Sequence, residues 1–332
     1  MTLEVSHGPT RVTVLGLGAI GRAVLKALLA RRSVRVVAVG DPAFAGHDAG
    51  VLADVGPLGL PVEATLQGTL STPTDVMVVL TTSGSAEMLP IVEAAAACQA
   101  HIVSTCEDLA FAAWATPDLA DQIDAVARAG GIAVLGTGVN PGFVMDRLPL
   151  VLAGACVSVN SVVVERVVDA AKRRGPLRAK VGAGLTVDEF SAGVVAKKLG
   201  HRGLPESCAL LGKGLGLRFD EVRSRIGPVV ATETAPRAGI AAGRVAGLRQ
   251  TAEGIVGGRA LVSLTLEMSV DAPNPRDRIV IDGDPPLDML LAGGTHGDRA
   301  TVATVVNAIE AVRTAKPGLR YVTDLPLYGV LR

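Results

Sequence analysis

A short apolar run that ends in a glycine turn and passes directly into a helical pattern constrains the fold of this chain more than any other feature. The run "RVTVLGLG" starts at Arg11, and apolar residues recur at helical spacing from Ala19 to Arg32. Four more apolar runs follow, at residues 34–41, 75–83, 101–107 and 131–138, with helix-like segments between the later ones. Apolar strands that alternate with helices are typical of a parallel sheet covered on both faces. The sequence therefore predicts a doubly wound α/β domain over residues 1–147.

The pattern changes after Pro149. "SVNSVVVERVVDA" predicts a long strand, residues 186–199 and 205–216 predict helices, and the segment around "EGIVGGR" predicts two strands that flank a turn. We therefore expect an α+β domain, built on an open and largely antiparallel sheet, over residues 148–300. A helix and an irregular tail, residues 301–332, are expected to pack back on the first domain. Two domains also suit 332 residues, because single hydrophobic cores stop growing at about 250–300 residues.

Composition and charge exclude several classes of partner. The chain carries 32 basic and 32 acidic residues without a like-charged block, so we expect no binding to nucleic acid or to anionic lipid. Its four cysteines have no metal-ligand spacing, which indicates reduced thiols and no metal site. We find no signal-peptide pattern, and no run of about 20 apolar residues that could span a membrane. We therefore expect a cytoplasmic protein with a small-molecule ligand.

The turn "GLGAIG" carries the first ligand prediction. It contains Gly16, Gly18 and Gly21, with Ala19 and Ile20 between the last two. Glycines here let the backbone approach a pyrophosphate, which then lies at the free N–H groups of the helix N-terminus. The alternative is that these glycines serve only helix–strand packing. The preceding strand, the following helix and an acidic residue 20 positions later favour a Rossmann-type dinucleotide site.

That acidic residue is Asp41, which ends the second apolar run. Its carboxylate can accept hydrogen bonds from ribose hydroxyls and would repel a 2′-phosphate, so the sequence favours NAD over NADP. Arg22 could approach such a phosphate, which leaves NADP possible. The alternative role of Asp41 is to cap a turn at the strand end.

The ends of the other predicted strands also carry polar residues. Ligands of open α/β sheets bind beyond the carboxyl ends of the strands, so we expect these residues to line the cofactor crevice. Their hydroxyl, amide and backbone groups can hold ribose and carboxamide. Ordinary turn chemistry is the alternative for each of them. The candidates are Thr81, Thr82 and Ser83 after one strand, and Asn140 and Pro141 within "GTGVNPG" after another.

Glu107, in "STCED", is the ionisable group best placed beside a nicotinamide. A carboxyl group in a dry, apolar crevice is expected to have a raised pKa, and it can then act as both base and acid near neutral pH. The alternative roles are helix capping and ion pairing.

Several longer segments resemble a known family. They are "HIVSTCEDLAFAAW", "VLGTGVNPGFVMDRLP", "ERVVDAAKRRGPLRAKVGAG" and "GHRGLPES", and the resemblance extends from Gly16 to about Leu325. The chain resembles the 2,4-diaminopentanoate dehydrogenases and the native amine dehydrogenases related to them. This resemblance implies reversible, NAD(P)-linked oxidative deamination of an amine to a ketone and ammonia. It also implies a Rossmann domain joined to a dihydrodipicolinate-reductase-like domain, and a homodimer.

The resemblance gives Glu107 a role. The catalytic glutamate of the family lies in its "STCE" segment, which here ends at Glu107. In the reductive direction ammonia adds to a ketone, the carbinolamine loses water, and hydride reaches the resulting iminium carbon. One carboxylate can deprotonate the attacking ammonium, protonate the departing water and stabilise the cation.

The substrate is less constrained than the reaction. Within the family, Arg166 falls where a cation is implicated in holding the amino-acid end of diaminopentanoate, and His201 is a second candidate. The segment between Leu261 and Asp277 contains no histidine to add a further polar group. We therefore expect a small ketone or amine first, and 2,4-diaminopentanoate as the alternative.

Each substrate candidate also has a simpler interpretation. Arg166 could pair with Glu165 or Asp169, and His201 could be an ordinary loop residue. Phe143 and Trp114 could line an apolar pocket, or could simply pack in the core. A different class of protein, an NAD(P)-sensing protein without turnover, would not need an acid at Glu107.

Overall fold

The structure is a computed structural model, and it describes residues 8–172, 180–232 and 239–330. Part of the quoted segment that follows Glu165, residues 173–179, lies outside these ranges. The chain forms two compact units. Met1–Phe143 and Gly297–Arg332 make up the first, and Val144–His296 make up the second. The chain therefore leaves the first unit once and returns to it near the end.

A seven-stranded sheet forms the centre of the first unit, and all its paired strands are parallel. The strands are β1 (Thr10–Leu15), β2 (Val34–Gly40), β3 (Val62–Glu63), β4 (Val76–Val79), β5 (His101–Ser104), β6 (Ala133–Gly136) and, near the end of the chain, β13 (Gly318–Arg320). Their order is β13-β6-β5-β4-β1-β2-β3. The order reverses beside β1, where ligands of such sheets bind. The predicted doubly wound parallel sheet is confirmed.

Helices cover this sheet. They are α1 (Ala19–Leu29), α2 (Ala49–Leu52), α3 (Leu66–Thr69), α4 (Ser85–Ala97), α5 (Ala112–Ala115), α6 (Pro117–Ala129) and, near the end of the chain, α10 (Gly297–Arg313). Short 3₁₀ turns span Pro42–Phe44 and Glu107–Leu109. In α1 the residues at helical spacing, Val24, Leu25 and Leu28, are fully buried. The predicted apolar face of α1 therefore lies in the core.

The C-terminal segment packs within the first unit. The Arg31 guanidinium donates to the Asn307 side chain of α10 at 3.0 Å. The Tyr321 hydroxyl accepts from the Ala113 backbone at 3.0 Å, and the Tyr321 ring lies edge-on to Phe111 with 5.0 Å between centroids. The sequence predicted an irregular tail here, and the tail contains β13, which adds an edge strand to the sheet.

A six-stranded mixed sheet forms the second unit. The strands are β7 (Ser158–Asp169), β8 (Glu221–Val230), β9 (Val245–Val256), β10 (Arg259–Ser269), β11 (Arg276–Asp284) and β12 (Leu287–Ala292), in the order β12-β11-β7-β10-β9-β8. Only β7 and β10 pair in parallel among the described strands of this sheet. The helices are α7 (Arg147–Ala153), α8 (Val187–Val195) and α9 (Leu204–Gly214), and Ala170–Lys172 form a 3₁₀ turn. The predicted α+β region with a largely antiparallel sheet is confirmed.

One helix closes the core of this second unit. α9 contacts β9 and β10, and its Leu204, Leu210 and Leu211 side chains are fully buried. The Cys208 thiol lies among them, where burial raises its pKa to about 12. Within the described ranges, no helix is both long enough and apolar enough to cross a membrane.

Candidate active site

The glycine turn after β1 is shaped by close backbone contacts. Gly16 has φ +99°, and a Cβ there would lie 3.0 Å from the Leu80 carbonyl group. A Cβ on Gly21 would overlap the Gly16 carbonyl oxygen, so only glycine lets α1 pack this closely on β1. Gly18 differs, because a Cβ there would meet nothing within 4 Å. Gly16 and Gly21 therefore allow close packing of the backbone, and Gly18 faces open space.

That open space lies at the N-terminus of α1. Gly18 is the N-cap residue and offers no side-chain hydrogen bond, and the first turn carries no acidic residue. The first backbone N–H groups of a helix have no partner within it, and the helix dipole adds positive potential at this end. The turn therefore fits the diphosphate of a dinucleotide.

Asp41 ties the end of β2 to this turn. One carboxylate oxygen accepts from the Leu17 backbone N–H at 2.7 Å, and the other accepts from Ala43 N–H at 2.9 Å. Asp41 therefore caps a turn, which was the alternative interpretation. Each carboxylate oxygen keeps further acceptor capacity, so the cap does not exclude a ribose diol.

The loop after β4 lies against the glycine turn. A Cβ on Gly16 would come within 2.9 Å of the Thr81 methyl group. The Thr82 hydroxyl accepts from Gly84 N–H at 3.1 Å, which is ordinary turn chemistry. The Ser83 carbonyl accepts from Asp108 N–H at 3.2 Å and so joins this loop to the one after β5.

The two adjacent carboxylates of "STCED" differ in their contacts. Asp108 accepts from Ser85 N–H at 3.3 Å and so caps the start of α4. Glu107 begins the 3₁₀ turn beyond β5 and is half-buried. In the described parts of the chain its carboxylate has no hydrogen bond and no ion pair. Glu107 is therefore the carboxylate that remains available to a ligand.

The neighbouring thiol does not compete with Glu107. Cys106 is 1% exposed, and burial, with the nearby Asp108 and Glu107 charges, raises its pKa to about 12. It is therefore protonated at neutral pH, which excludes a thiolate nucleophile at this position.

The turn after β6 holds two unsatisfied polar atoms. Thr137 is 5% exposed, and its hydroxyl has no hydrogen-bond partner in the described structure, nor does the buried side-chain oxygen of Asn140. The Asn140–Pro141 peptide is cis. A Cβ on Gly136 would lie 2.6 Å from Leu109, so this turn packs on the 3₁₀ turn of Glu107.

Unsatisfied buried polar atoms at a strand end fit a ligand with hydrogen-bonding groups, such as a nicotinamide carboxamide. Sequence reasoning singled out Asn140 and Pro141 within "GTGVNPG", a stretch that also contains Thr137. The signal available was a hydroxyl directly after an apolar strand in "GTG". Within the ranges that the structure describes, no group of three or more His, Cys, Asp or Glu side chains could hold a metal ion.

In the second unit, Arg166 forms a buried ion pair. Arg166 is 3% exposed and Asp277 is fully buried, opposite it on β11. One terminal nitrogen of Arg166 donates to both Asp277 oxygens, at 2.7 and 2.8 Å, and the other donates to the Thr295 carbonyl at 2.8 Å. The Thr295 N–H returns a 2.6 Å hydrogen bond to Asp277. Asp277 is therefore the carboxylate that lies against Arg166, whereas the sequence suggested Glu165 or Asp169.

The remaining substrate candidates are less constrained by their contacts. His201 is half-buried before α9, and its backbone N–H donates to the Gln250 side chain at 3.0 Å. Phe143 is half-buried at the end of the first segment of the first unit, and Trp114, in α5, is 42% exposed. Their assignment to a substrate pocket stays a prediction.

The parallel sheet, its glycine turn and the polar strand ends define a Rossmann-type dehydrogenase with a nicotinamide cofactor. Two family models match separate parts of the chain. The model described as "Dihydrodipicolinate reductase, N-terminus" matches residues 10–107. The model described as "2,4-diaminopentanoate dehydrogenase C-terminal domain" matches residues 143–331. The chain belongs to the 2,4-diaminopentanoate dehydrogenase family, so the predicted oxidoreductase class and family are confirmed.

Individual relatives agree with this membership. A 2,4-diaminopentanoate dehydrogenase from Acetoanaerobium sticklandii is 30% identical over 235 residues, which cover 68% of this chain and 67% of the relative. An amine dehydrogenase from Streptomyces virginiae is 27% identical and covers 95% of both chains. The solved structure of an amine dehydrogenase from Mycobacterium smegmatis matches 98% of both chains with a TM-score of 0.83 at 24% identity. That last similarity establishes the fold.

Proposed function

We propose that this protein is an NAD(P)-dependent amine dehydrogenase, which converts a small ketone and ammonia to a primary amine and also catalyses the reverse deamination. The observation that carries the proposal is the Glu107 carboxylate, which is half-buried at the end of β5 and has no partner in the described structure. The names of the relatives from Acetoanaerobium sticklandii and Streptomyces virginiae support the reaction class.

In this proposal Glu107 moves every proton of the reaction. As a carboxylate it accepts a proton from ammonium, which frees ammonia to attack the ketone carbon. It then gives this proton to the alkoxide oxygen and takes another from the new C–NH3+ group, which leaves a neutral carbinolamine. As a carboxylic acid it finally protonates the carbinolamine hydroxyl group, which leaves as water. Its negative charge afterwards stabilises the cationic iminium carbon. The bound nicotinamide supplies the hydride.

The contacts of Arg166 favour a plain ketone over an amino-acid ketone. A substrate carboxylate would need the guanidinium group, which already donates to Asp277 and Thr295 in a buried environment. Replacing Asp277 with a substrate would leave the Asp277 charge buried without its partner, which is costly. The absence of a histidine between Leu261 and Asp277 agrees with this preference.

Family membership supports a second candidate substrate. The C-terminal family model and the relative from Acetoanaerobium sticklandii both carry the name 2,4-diaminopentanoate dehydrogenase. An amino-acid substrate would then contact Arg166 and His201.

The proposal includes NAD as the favoured cofactor, because the Asp41 carboxylate suits a ribose diol better than a 2′-phosphate. Gly16–Gly21, Thr81–Ser83, Asn140 and Pro141 would hold the cofactor. Phe143 and Trp114 would contribute apolar surface to the substrate. The family resemblance also supports a homodimer in the cytoplasm.

A pair of variants tests the proposal. NADH consumption is followed with ammonia and a panel of ketones that includes 2-amino-4-oxopentanoate and unsubstituted aliphatic ketones. Glu107→Gln keeps the shape and removes the proton transfer, so kcat is expected to fall by about 10²–10⁴ while NADH binding is retained. Asp108→Asn is the matched control, and its turnover should stay within about threefold of the parent.

Each outcome has a distinct meaning. Unchanged turnover in Glu107→Gln would refute the proposed role of the carboxylate. A preference for 2-amino-4-oxopentanoate would select the second candidate. NADH binding without turnover of any ketone would indicate an NAD(P)-sensing protein instead.

A further inference from the structure

Arg22 presents a cation beside the proposed ribose site without using most of its donors. It lies in α1 and is exposed. Its Nε donates to the Leu17 carbonyl oxygen at 2.9 Å. Its two terminal nitrogens have no hydrogen-bond or ion-pair partner in the described parts of the chain. The guanidinium group is therefore positioned by one bond and keeps its terminal N–H groups available.

Leu17 brings this cation and the Asp41 carboxylate to the same turn. The Leu17 N–H donates to Asp41 at 2.7 Å, and the Leu17 carbonyl accepts from Arg22 at 2.9 Å. Yet Arg22 and Asp41 form no ion pair, within the residues described. The two charged groups therefore flank one residue of the glycine turn and remain separately accessible to a ligand.

The Phe44 ring contacts the guanidinium group of Arg22. The central carbon of the guanidinium lies 4.9 Å from the centroid of the Phe44 ring, in the range of a cation–π contact. Phe44 ends the 3₁₀ turn that begins one residue after Asp41, and its ring meets His47 edge-on at 6.4 Å. This stack holds the cation on the side of the turn where β2 ends.

The Asp41 charge is partly offset. Both of its oxygens accept backbone N–H groups, from Leu17 and from Ala43, and oriented amides contribute positive partial charge. Repulsion of a second anion near Asp41 is therefore weaker than for a carboxylate without such bonds. The first turn of α1 adds no further acidic residue.

We propose that Arg22 is the residue on which use of NADP by this protein depends: its terminal N–H groups bind the 2′-phosphate, while Asp41 binds the ribose diol of NAD. The inference rests on the nicotinamide cofactor of the proposed function and deepens it by naming the residue that sets cofactor choice. An arginine and a phosphate form charge-assisted, bidentate hydrogen bonds, which the terminal nitrogens of Arg22 are free to make.

Binding of free nucleotides tests this directly. Isothermal titration gives dissociation constants of NADPH and NADH for the full chain and for Arg22→Gln. The variant is expected to weaken NADPH at least tenfold and NADH less than threefold. Arg22→Lys should restore part of the NADPH affinity, because it keeps the charge but not the planar fork. Arg32→Gln, which removes an exposed arginine beyond the C-terminal end of α1, is the matched control and should change neither constant.

Salt provides a second readout. The dissociation constant of NADPH should rise more steeply with ionic strength in the parent protein than in Arg22→Gln, because an exposed ion pair is screened. Equal losses for NADPH and NADH in Arg22→Gln would overturn the inference and assign Arg22 to packing or adenine stacking. Unchanged NADPH affinity would overturn it as well.

These titrations contain neither ketone nor ammonia. Failure of the amine dehydrogenase assays would therefore leave the result on Arg22 unaffected. Conversely, a protein that turns over ketones with NADH but shows no effect of Arg22→Gln would refute only the present inference.

Discussion

The buried pair of Arg166 and Asp277 permits a sharp prediction about stability. Asp277→Leu removes a fully buried carboxylate that accepts three hydrogen bonds. Two come from Arg166 and one comes from the Thr295 backbone N–H. The Arg166 charge then remains in the core without the Asp277 carboxylate. Removal of one partner from a buried ion pair costs about 3–5 kcal/mol. The loss of the Thr295 hydrogen bond falls within the same total.

Removing both charges should cost much less. In the double variant Arg166→Met with Asp277→Leu neither charge of this pair is left buried, and such replacements are often neutral or stabilising by about 1–4 kcal/mol relative to the pair. We therefore expect each single variant to lower the free energy of unfolding by about 3–5 kcal/mol. The double variant should recover most of that loss, which makes the two effects strongly non-additive.

Urea unfolding measures these differences, with thermal midpoints as a second readout. The matched control is the ion pair between Arg278 on β11 and Asp288 on β12 of the same sheet. Its nitrogen–oxygen distance is 2.6 Å, and both side chains are half-exposed. Breaking an exposed pair costs about 0–1 kcal/mol. Arg278→Met should therefore change stability far less than Arg166→Met.

The opposite pattern would refute this reasoning. If Arg166→Met kept the stability of the parent and selectively lost affinity for 2-amino-4-oxopentanoate, the guanidinium would be a substrate contact and the Asp277 pair would be dispensable. A loss of stability without a change in the ratio of activities on amino-acid and plain ketones would support the structural role.

Two further predictions concern the first unit. Thr137→Val removes a buried hydroxyl without a partner in the described structure, so we expect an unchanged or slightly higher thermal midpoint together with weaker NADH binding in titrations. Burial acts to raise the pKa of Asp48, but hydrogen bonds from Val51, Leu58, Gly59 and Gly50 outweigh it and lower the pKa. The ionised Asp48 carboxylate therefore stabilises the folded state fully above the unfolded pKa of about 3.9, and this stabilisation is lost as the pH falls through the lower folded pKa. Asp48→Asn should thus lower the thermal midpoint at pH 7, and the difference from the parent should shrink in acid; a constant difference would contradict the linkage.

The parallel sheet could be predicted because its strands are buried on both faces. Such strands are continuous apolar runs, so each one is visible without knowledge of its neighbours. β4 and β6 are examples, with every residue buried. β11 was not predicted, because "RDRIVIDGD" contains only three consecutive apolar residues, Ile279–Ile281, between charged residues on both sides. A short segment of that kind becomes a strand only through its pairing with β7 and β12.

The choice between Glu107 and Asp108 could not be made from spacing alone. Both carboxylates follow the same strand, and which one is free depends on the direction in which each side chain leaves the turn. The structure directs Asp108 to the start of α4, where it satisfies the Ser85 N–H. Capping by Asp108 therefore explains why Glu107 is the carboxylate of the two that makes no hydrogen bond in the described structure.

The partner of Arg166 shows why sequence neighbours mislead on a strand. Adjacent side chains on a strand point to opposite faces of the sheet, and so do side chains three residues apart. Glu165 and Asp169 therefore cannot share the buried face of Arg166, and Glu165 pairs instead with Arg276 at 2.8 Å. Register between β7 and β11 places Asp277 opposite Arg166, and a directly opposite pair is the one that a sheet brings together. Because Asp277 already balances the charge of Arg166, a substrate carboxylate is not needed there. This is the physical reason for the proposed preference for ketones without a carboxylate.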